Sequence, residues 1–356
     1  MTGIRERTAS FCQRYGLRLP ILLAPMAGAC PPSLSIAVAE AGGLGACGAL
    51  LLKPDEIAAW AAEFRGGSSG PFQINLWIPD PPPVRDARHE ARLREFLAGW
   101  GPEVPAQAGD APPIDFDSQC EALLAARPTI VSSIMGLYPP AYVDRLKAQR
   151  ITWFATVTTV AEAIAAEAAG ADVIVAQGMV AGGHRGAFDA SPAETRLVGL
   201  FALLPAIVDA VRLPVVATGG IADARGVAAA LMLGASAAQV GTGLLRSPEA
   251  KLAPAWAAAL AGTRPEDTMV SRVFSGRPGR SIVTDYVRAA TAAQAPKPAP
   301  YPVQRAFTAA MRTAAQRNGD VQRMQVWSGQ SAAMAQAKPA AEIVHGLWNG
   351  AQALLG

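Results

Sequence analysis

The histidine at position 184 is the side chain in this sequence best suited to proton transfer. It lies in the glycine-rich stretch QGMVAGGHRG, residues 177–186. Imidazole titrates near neutral pH, so a loop histidine of this kind can move a proton or contact an anion. His89 lies in a charged run, and His345 lies beside apolar residues of a predicted terminal helix. We therefore predict a catalytic role for His184; ordering of the loop is the alternative.

Glycine-rich segments follow three successive apolar runs in the second half of the chain. They are QGMVAGGHRG at 177–186, TGGIAD at 218–223 and QVGTGLL at 239–245. Glycine allows backbone amides to approach an anion closely, and the N-terminus of a following helix adds a favourable field. Glycines at the same end of three successive strands therefore predict a site for a phosphate group.

An alternation of apolar strands and alanine-rich helices must position these loops. Because the strands are apolar throughout, both of their faces are buried, as in a parallel sheet. Eight strands with intervening helices predict a (β/α)8 TIM barrel, whose active site lies at the carboxyl ends of the strands. A doubly wound sheet is the alternative, but no G-x-G-x-x-G motif opens a helix after the first strand. The predicted strands are 21–24, 44–48, 72–77, 129–133, 151–157, 172–177, 214–219 and 237–242, and the predicted helices are 33–42, 54–65, 141–150, 160–170, 196–211 and 224–234.

Two segments lie outside this repeat and predict a smaller second domain. Residues 79–117 are rich in proline and charge and indicate an insertion in the barrel, with one helix at 84–99. Residues 263–335 follow the eighth strand and its helix, and they predict a smaller, partly helical lid. The predicted domains are therefore 1–262 for the barrel, 263–335 for the lid region, and 336–356 for a C-terminal helix that returns to the barrel.

The composition argues against several classes of protein. The chain has 356 residues, of which 51% are hydrophobic and 17% charged, which excludes a disordered chain or a coiled coil. The net charge of +3 without a basic run argues against a nucleic-acid partner. The most apolar long stretch, 197–217, contains two prolines, an aspartate and an arginine, so we predict no membrane span. Four cysteines without CxxC or metal-ligand spacing predict a cytoplasmic enzyme with no metal.

The same segments carry a family resemblance. The stretch LPILLAPMAGACPPSLSIAVAEAGGLG, the loop QGMVAGGHRG and the block ATGGIADARGVAAALMLGASAAQVGT resemble, in order, three motifs of the nitronate monooxygenase family, formerly called 2-nitropropane dioxygenases. The resemblance covers residues 20–245 and extends to WSGQ at 327–330. It implies an FMN-dependent barrel enzyme with a smaller lid domain, which oxidises alkyl nitronates with molecular oxygen to a carbonyl compound and nitrite.

The resemblance also implies roles for individual residues. His184 matches the family's active-site histidine. The residues expected to contact FMN are Ala24, Pro25, Met26, Ala27, Asn75, Gln177, Gly182, Gly183, Gly219, Gly220, Gln239, Gly241 and Thr242. Asn75 and Gln177 should bind the polar edge of the flavin, although their amides could instead satisfy backbone groups. The phosphate of FMN should be bound by Gly182, Gly183, Gly220, Gly241 and Thr242. The expected substrate residues are Arg185, Trp327 and Gln330, for which a surface ion pair or ordinary packing are the alternatives.

Other activities on the same fold stay open. Flavin-dependent enoyl reductases resemble this family, and a flavin or quinone reductase that uses NAD(P)H is a related alternative. A non-redox barrel that binds a phosphorylated metabolite is the lesser alternative. Met179 and Val180 stand where the family often has an acidic residue, which leaves the exact substrate open. We expect a small nitronate or nitroalkane and O2 as partners, no nucleic acid or membrane, and leave a homodimer open.

Overall fold

A barrel of parallel strands forms the centre of the structure, a computed structural model that describes residues 3–356. The strands are β1 (Ile21–Leu23), β2 (Gly45–Gly48), β3 (Phe72–Trp77), β4 (Ile130–Ile134), β5 (Thr152–Val157), β6 (Val173–Gln177), β7 (Gly183–His184), β8 (Val215–Thr218), β9 (Ala237–Val240), β10 (Thr268–Ser271) and β11 (Gly279–Ile282). Eight of them pair in parallel in the order β1-β9-β8-β6-β5-β4-β3-β2, and a bridge between Leu22 and Leu44 brings β1 beside β2. The predicted (β/α)8 barrel is therefore confirmed.

Helices surround the barrel and build much of the region above it. They are α1 (Ile4–Tyr15), α2 (Pro32–Glu40), α3 (Pro54–Gly67), α4 (Ala87–Ala98), α5 (Phe116–Ala126), α6 (Pro140–Ala148), α7 (Val160–Ala168), α8 (Leu200–Ala210), α9 (Ala224–Met232), α10 (Pro254–Gly262), α11 (Asp285–Ala290), α12 (Val303–Phe307), α13 (Ala309–Asn318) and α14 (Ala340–Leu355). Thr159 and Asp223 begin α7 and α9 by accepting first-turn N–H groups with their side chains. No helix within residues 3–356 combines the length and the hydrophobicity that a membrane span requires.

The helices of the barrel and its insertion differ from the prediction in three places. The sequence analysis did not predict α1 or α5. The helix predicted at 196–211 begins only at Leu200. Here the Val198 carbonyl accepts a hydrogen bond from the Met179 amide at 2.8 Å, which holds the preceding residues in a loop. This loop lies beside the glycine-rich segment after β6.

The helix α1 closes the amino-terminal end of the barrel. Its Phe11 and Tyr15 are buried and form one apolar cluster with interior residues of the barrel, among them Phe154. The ring centroid of Tyr15 lies 5.3 Å from that of Phe154 in an edge-to-face arrangement. This end of the barrel is therefore filled with apolar side chains.

Polar side chains replace this apolar filling toward the carboxyl ends of the strands. Gln73 and Asn75 alternate with apolar residues along β3, and successive side chains of a strand point to opposite faces. They share the upper barrel with buried polar residues of the other strands, which are Ser132, Thr156, Gln177, Thr218 and Gln239. The sheet therefore presents amide and hydroxyl groups where a barrel enzyme has its active site.

The insertion and the lid region pack together above the barrel. Leu93 and Leu97 of α4 share an apolar cluster with Phe274, Tyr286 and Phe307 of residues 263–335. The helix α4 occupies most of the segment where the sequence predicts one. Because the insertion and the lid region share a core, they behave as one packing unit. The domain boundaries at 262 and 335 stay a prediction.

A small antiparallel sheet joins the lid region to the barrel. Its strand order is β10-β11-β7, and His184 of β7 lies opposite Gly279 of β11. The strand β7 belongs to the loop after β6, so one loop of the barrel forms the edge of the lid sheet. The final helix α14 packs against α9 and α2 on the outside of the barrel.

Candidate active site

A cavity of about 390 Å³ opens at the carboxyl ends of the barrel strands, beneath the lid region. This volume is within the range of small-molecule and cofactor sites. All thirteen residues predicted to contact a cofactor lie in its wall, together with His184 and Trp327. Arg185 and Gln330 do not line it. The barrel thus brings together residues from β1, β3, β6, β8 and β9 that are far apart in sequence.

His184 is clamped between two tryptophans. Its ring centroid lies 4.7 Å from that of Trp77 and 4.8 Å from that of Trp327, both in edge-to-face arrangements. Its Nε2 atom lies 2.7 Å from Ser275 Oγ. The Ser275 hydroxyl donates to the Arg277 carbonyl at 3.1 Å, which favours a proton on Nε2 and an unprotonated Nδ1 in the imidazole. The histidine is therefore held in one orientation by lid residues.

The surroundings of His184 oppose its protonation. Burial is the main cause of a pKa lowered to about 3, and the nearby cations Arg277, Arg305 and Arg312 lower it further. The ring faces the cavity, where it keeps partial exposure, so a ligand that fills the cavity strengthens the desolvation. The imidazole is therefore neutral near pH 7, and its unprotonated nitrogen is able to accept a proton.

We expect the imidazole of His184 to stay neutral between about pH 8 and pH 5, since its folded pKa lies far below the ordinary value of 6.5. The measurement is NMR of protein with isotope-labelled histidine, in which the ring resonances distinguish the neutral from the cationic form. The signal of His184 is assigned by its loss in a His184→Asn variant. A conversion of this signal to the cationic form between pH 7 and pH 6 would contradict the expectation.

The structure places Arg185, which was predicted to contact a substrate, behind the glycine-rich loop. Its side chain is only 2% exposed and lies outside the cavity. Its Nη1 donates to the Gly178 carbonyl at 2.9 Å and to Gln177 Oε1 at 3.2 Å. Neighbouring side chains of extended backbone point to opposite sides, so a chain that turns His184 into the cavity turns Arg185 away. Arg185 holds the glycine-rich loop against β6.

The three amide side chains of the cavity wall differ in how many of their polar atoms already form hydrogen bonds within the protein. Both polar atoms of the Gln177 amide form hydrogen bonds with the loop that follows it. Its Oε1 accepts from the Gly186 amide at 2.8 Å, and its Nε2 donates to the His184 carbonyl at 3.1 Å. Asn75 donates from Nδ2 to Ser132 Oγ at 3.0 Å, which leaves Oδ1 as a free acceptor. Gln239 accepts at Oε1 from Gln73, which leaves its NH₂ group free to donate. The cavity floor therefore offers one acceptor and one donor.

Backbone amides without partners lie at the ends of β8 and β9. Within residues 3–356, the N–H groups of Gly219, Gly220 and Gly241 have no recorded acceptor. Gly219 and Gly220 have φ of +107° and +73°, values that residues with a side chain rarely adopt. A cluster of free amides in such a conformation forms an anion-binding concavity.

The segment 327–330 closes the cavity from the lid side. The Gly329 amide donates to Thr242 Oγ1 at 3.1 Å, and the Gln330 amide donates to the Val180 carbonyl at 3.0 Å. The side chain of Gln330 donates to the Pro265 carbonyl at 3.3 Å and so points away from the cavity. Gln330 therefore ties down the lid, and its predicted contact with a substrate stays a prediction.

Several residues of the site were missed by the sequence analysis. Trp77 carried a signal, since it continues the alternation of Gln73 and Asn75 along β3. No sequence signal marked Ser275, Arg305 or Arg312, because their positions depend on how the lid region packs against the barrel. No aspartate or glutamate lines this cavity. No group of three or more histidine, cysteine, aspartate or glutamate side chains suited to a metal ion occurs in the described chain.

Comparisons with known proteins agree on one family. A model of the family described as nitronate monooxygenase matches residues 12–350. Proteins named nitronate monooxygenase from Paraburkholderia phytofirmans and Pseudomonas aeruginosa are 38% and 37% identical, covering 92% and 96% of this chain and 91% and 98% of their own. A nitroalkane oxidase structure from Streptomyces ansochromogenes is 35% identical with a TM-score of 0.87, covering 96% of this chain and 98% of its own. The structure of FabK from Thermotoga maritima is 27% identical with a TM-score of 0.75, covering 97% and 96%. The chain thus belongs to the nitronate monooxygenase family.

Proposed function

We propose that this protein binds FMN in the cavity and oxidises small alkyl nitronates with molecular oxygen to a carbonyl compound and nitrite. The observation that carries the proposal is the chemistry of the cavity wall: a neutral histidine, the cations Arg305 and Arg312, and no acidic side chain. A wall with charge of only one sign attracts anions, and a nitronate is an anion. The names of the relatives support the same substrate class.

The residues of the cavity fit a flavin phosphate at one end and a flavin ring at the other. The free amides of Gly219, Gly220 and Gly241 suit a phosphate group. Asn75 Oδ1 and the Gln239 NH₂ group suit a ring edge that carries both an N–H donor and a carbonyl acceptor. FMN has both features. When bound, it supplies the electron transfer and the oxygen chemistry of the reaction.

The residues of this chain would bind and orient the substrate. The nitronate is already deprotonated at carbon, so its binding requires a hydrogen-bond donor and a favourable field rather than a strong base. Arg305 and Arg312 in the cavity wall can supply both to the nitro oxygens. For a neutral nitroalkane, the unprotonated nitrogen of His184 can take up the α-proton. Trp77 and Trp327 hold the imidazole between them and shield part of it from water.

We expect the purified protein to carry a yellow chromophore that nitronate bleaches under anaerobic conditions. The absorption spectrum is recorded before and after addition of a nitronate, and the released cofactor is identified as FMN. NADH and NADPH, added separately, are the controls. A colourless protein that takes up no FMN would contradict the proposal, and so would a flavin that nitronate leaves oxidised.

A reductase activity that uses NADH or NADPH is the second candidate, because flavin-dependent enoyl reductases resemble this family. In that case NADH or NADPH bleaches the flavin rapidly and a nitronate does not. The cationic cavity accommodates either anion, so the comparison of the two bleaching rates decides between the candidates.

The cytoplasm is the location we propose. Cys12, Cys30, Cys47 and Cys120 are buried and unpaired, which is typical of a reducing compartment. Whether the chain forms a homodimer stays a prediction.

A further inference from the structure

A buried glutamine beneath the cavity determines how Gln239 faces the ligand. Gln73 on β3 is fully buried and does not line the cavity. Its Nε2 atom donates to the Leu23 carbonyl at 3.1 Å and to Gln239 Oε1 at 3.2 Å. Both N–H groups of the Gln73 amide are therefore used inside the barrel.

The polarity of this chain of hydrogen bonds is set at Leu23. A backbone carbonyl can only accept, so the nitrogen end of the Gln73 amide must face it. The same NH₂ group then requires an acceptor on Gln239, because two facing NH₂ groups cannot bond to each other. Gln239 is thereby held with its oxygen inward and its nitrogen available to the cavity that it lines.

The other end of the Gln73 amide carries an unpaired acceptor. Its Oε1 atom is buried and has no hydrogen-bond partner among the described residues. Buried polar atoms without partners are rare in folded proteins, because each costs the free energy of its lost hydration. An apolar side chain at position 73 would avoid the cost of the unpaired oxygen. The presence of a glutamine therefore indicates that the two hydrogen bonds donated by its nitrogen have a role.

We propose that Gln73 is a positioning residue that orients the Gln239 amide so that its N–H groups donate to the cofactor. This inference rests on the proposed function, since the ligand is the pyrimidine edge of a flavin. That edge presents acceptor oxygens, which suit Gln239 Nε2, and an N–H group, which suits Asn75 Oδ1. Gln73 does not touch the flavin and acts only through Gln239.

A double-mutant cycle on flavin binding tests this role. The variants are Gln73→Met, Gln239→Met and the double variant, each freed of flavin and titrated with FMN. We expect each single substitution to raise the Kd for FMN about threefold to tenfold, the equivalent of one hydrogen bond. The double variant should bind FMN no more weakly than Gln239→Met, because Gln73 has no route to the flavin once Gln239 is removed. The absorption maximum of the bound flavin should shift alike in all three.

Gln304→Met is the matched control, because Gln304 is also buried and also donates to a backbone carbonyl, that of Val273 at 2.8 Å. It should lower the melting temperature and leave the Kd for FMN unchanged. Where Gln73→Met does not fold, Gln73→Leu gives the same test with a smaller side chain. The inference would be overturned, with the proposed function intact, if the double variant showed the product of the two single increases in Kd. A Gln73→Met variant with wild-type Kd and spectrum would have the same consequence. A wild-type protein that binds no FMN would overturn the proposed function and this inference with it.

Discussion

Replacing His184 by asparagine is expected to lower turnover of a neutral nitroalkane by about 100-fold, the lower end of the contribution of a general base, because the lowered pKa makes this imidazole a weak base. Turnover of a preformed nitronate should fall less, by under about tenfold, because no proton is removed from it and only the packing of the cavity wall changes. The difference arises because only the nitroalkane needs a base for its α-proton. Steady-state rates with the same compound in its two forms provide the measurement.

Two controls separate this effect from damage to the fold. His345→Asn makes the same substitution at an exposed histidine of α14, whose Nε2 lies 3.0 Å from the Ala41 carbonyl, and should leave both rates within about twofold. The His184→Asn variant should also keep its flavin. A variant that retains flavin and full turnover of both substrate forms would remove His184 from the mechanism.

Replacing Gly182 by alanine is expected to destabilise the protein and to weaken flavin binding at least tenfold. A Cβ atom at this position would lie 2.5 Å from the Gly329 nitrogen and 2.6 Å from the Ser328 carbonyl carbon. These are backbone atoms, so the two loops must separate, at a cost of about 1–3 kcal/mol in the free energy of unfolding. Denaturant unfolding and FMN titration measure the two effects.

Gly199→Ala is the matched control for this substitution. No atom lies within 4 Å of a Cβ built on Gly199, and its φ is −66°, which alanine adopts readily. It should change the free energy of unfolding by no more than about 1 kcal/mol, the cost of alanine at the N-cap of α8, and leave flavin binding unchanged. If Gly182→Ala matched this control in both measurements, the close approach of the two loops would contribute neither to stability nor to flavin binding.

The sequence predicted the barrel because its signal is local. Each strand is a short apolar run, and each glycine-rich loop directly follows its strand, so position along the chain already places a residue at the carboxyl end. Asn75 and Gln239 were expected in the cavity because of the family resemblance, and they lie there. Their opposite hydrogen-bonding character was not predictable, since it depends on partners in other strands, Ser132 and Gln73.

The lid side of the site has no such local signal. The strand β7 is only two residues long, and it exists because β11 pairs with it from about a hundred residues further along the chain. Ser275 reaches His184 across a similar separation in sequence. The position of Arg185 outside the cavity was not predicted for the same reason. Without β7, nothing in the sequence indicates that His184 and its neighbour face opposite sides.

The edge position of β7 in the lid sheet has a consequence for protein engineering. Residues 263–335 look like an interchangeable module, which could be exchanged with that of a relative to change substrate preference. However, the pairing of β7 with β11 makes Gly183 and His184 part of that module, although they are encoded within the barrel. A chimera should therefore transplant the 177–186 loop together with the lid region. The unit of recombination in this enzyme is discontinuous in the gene.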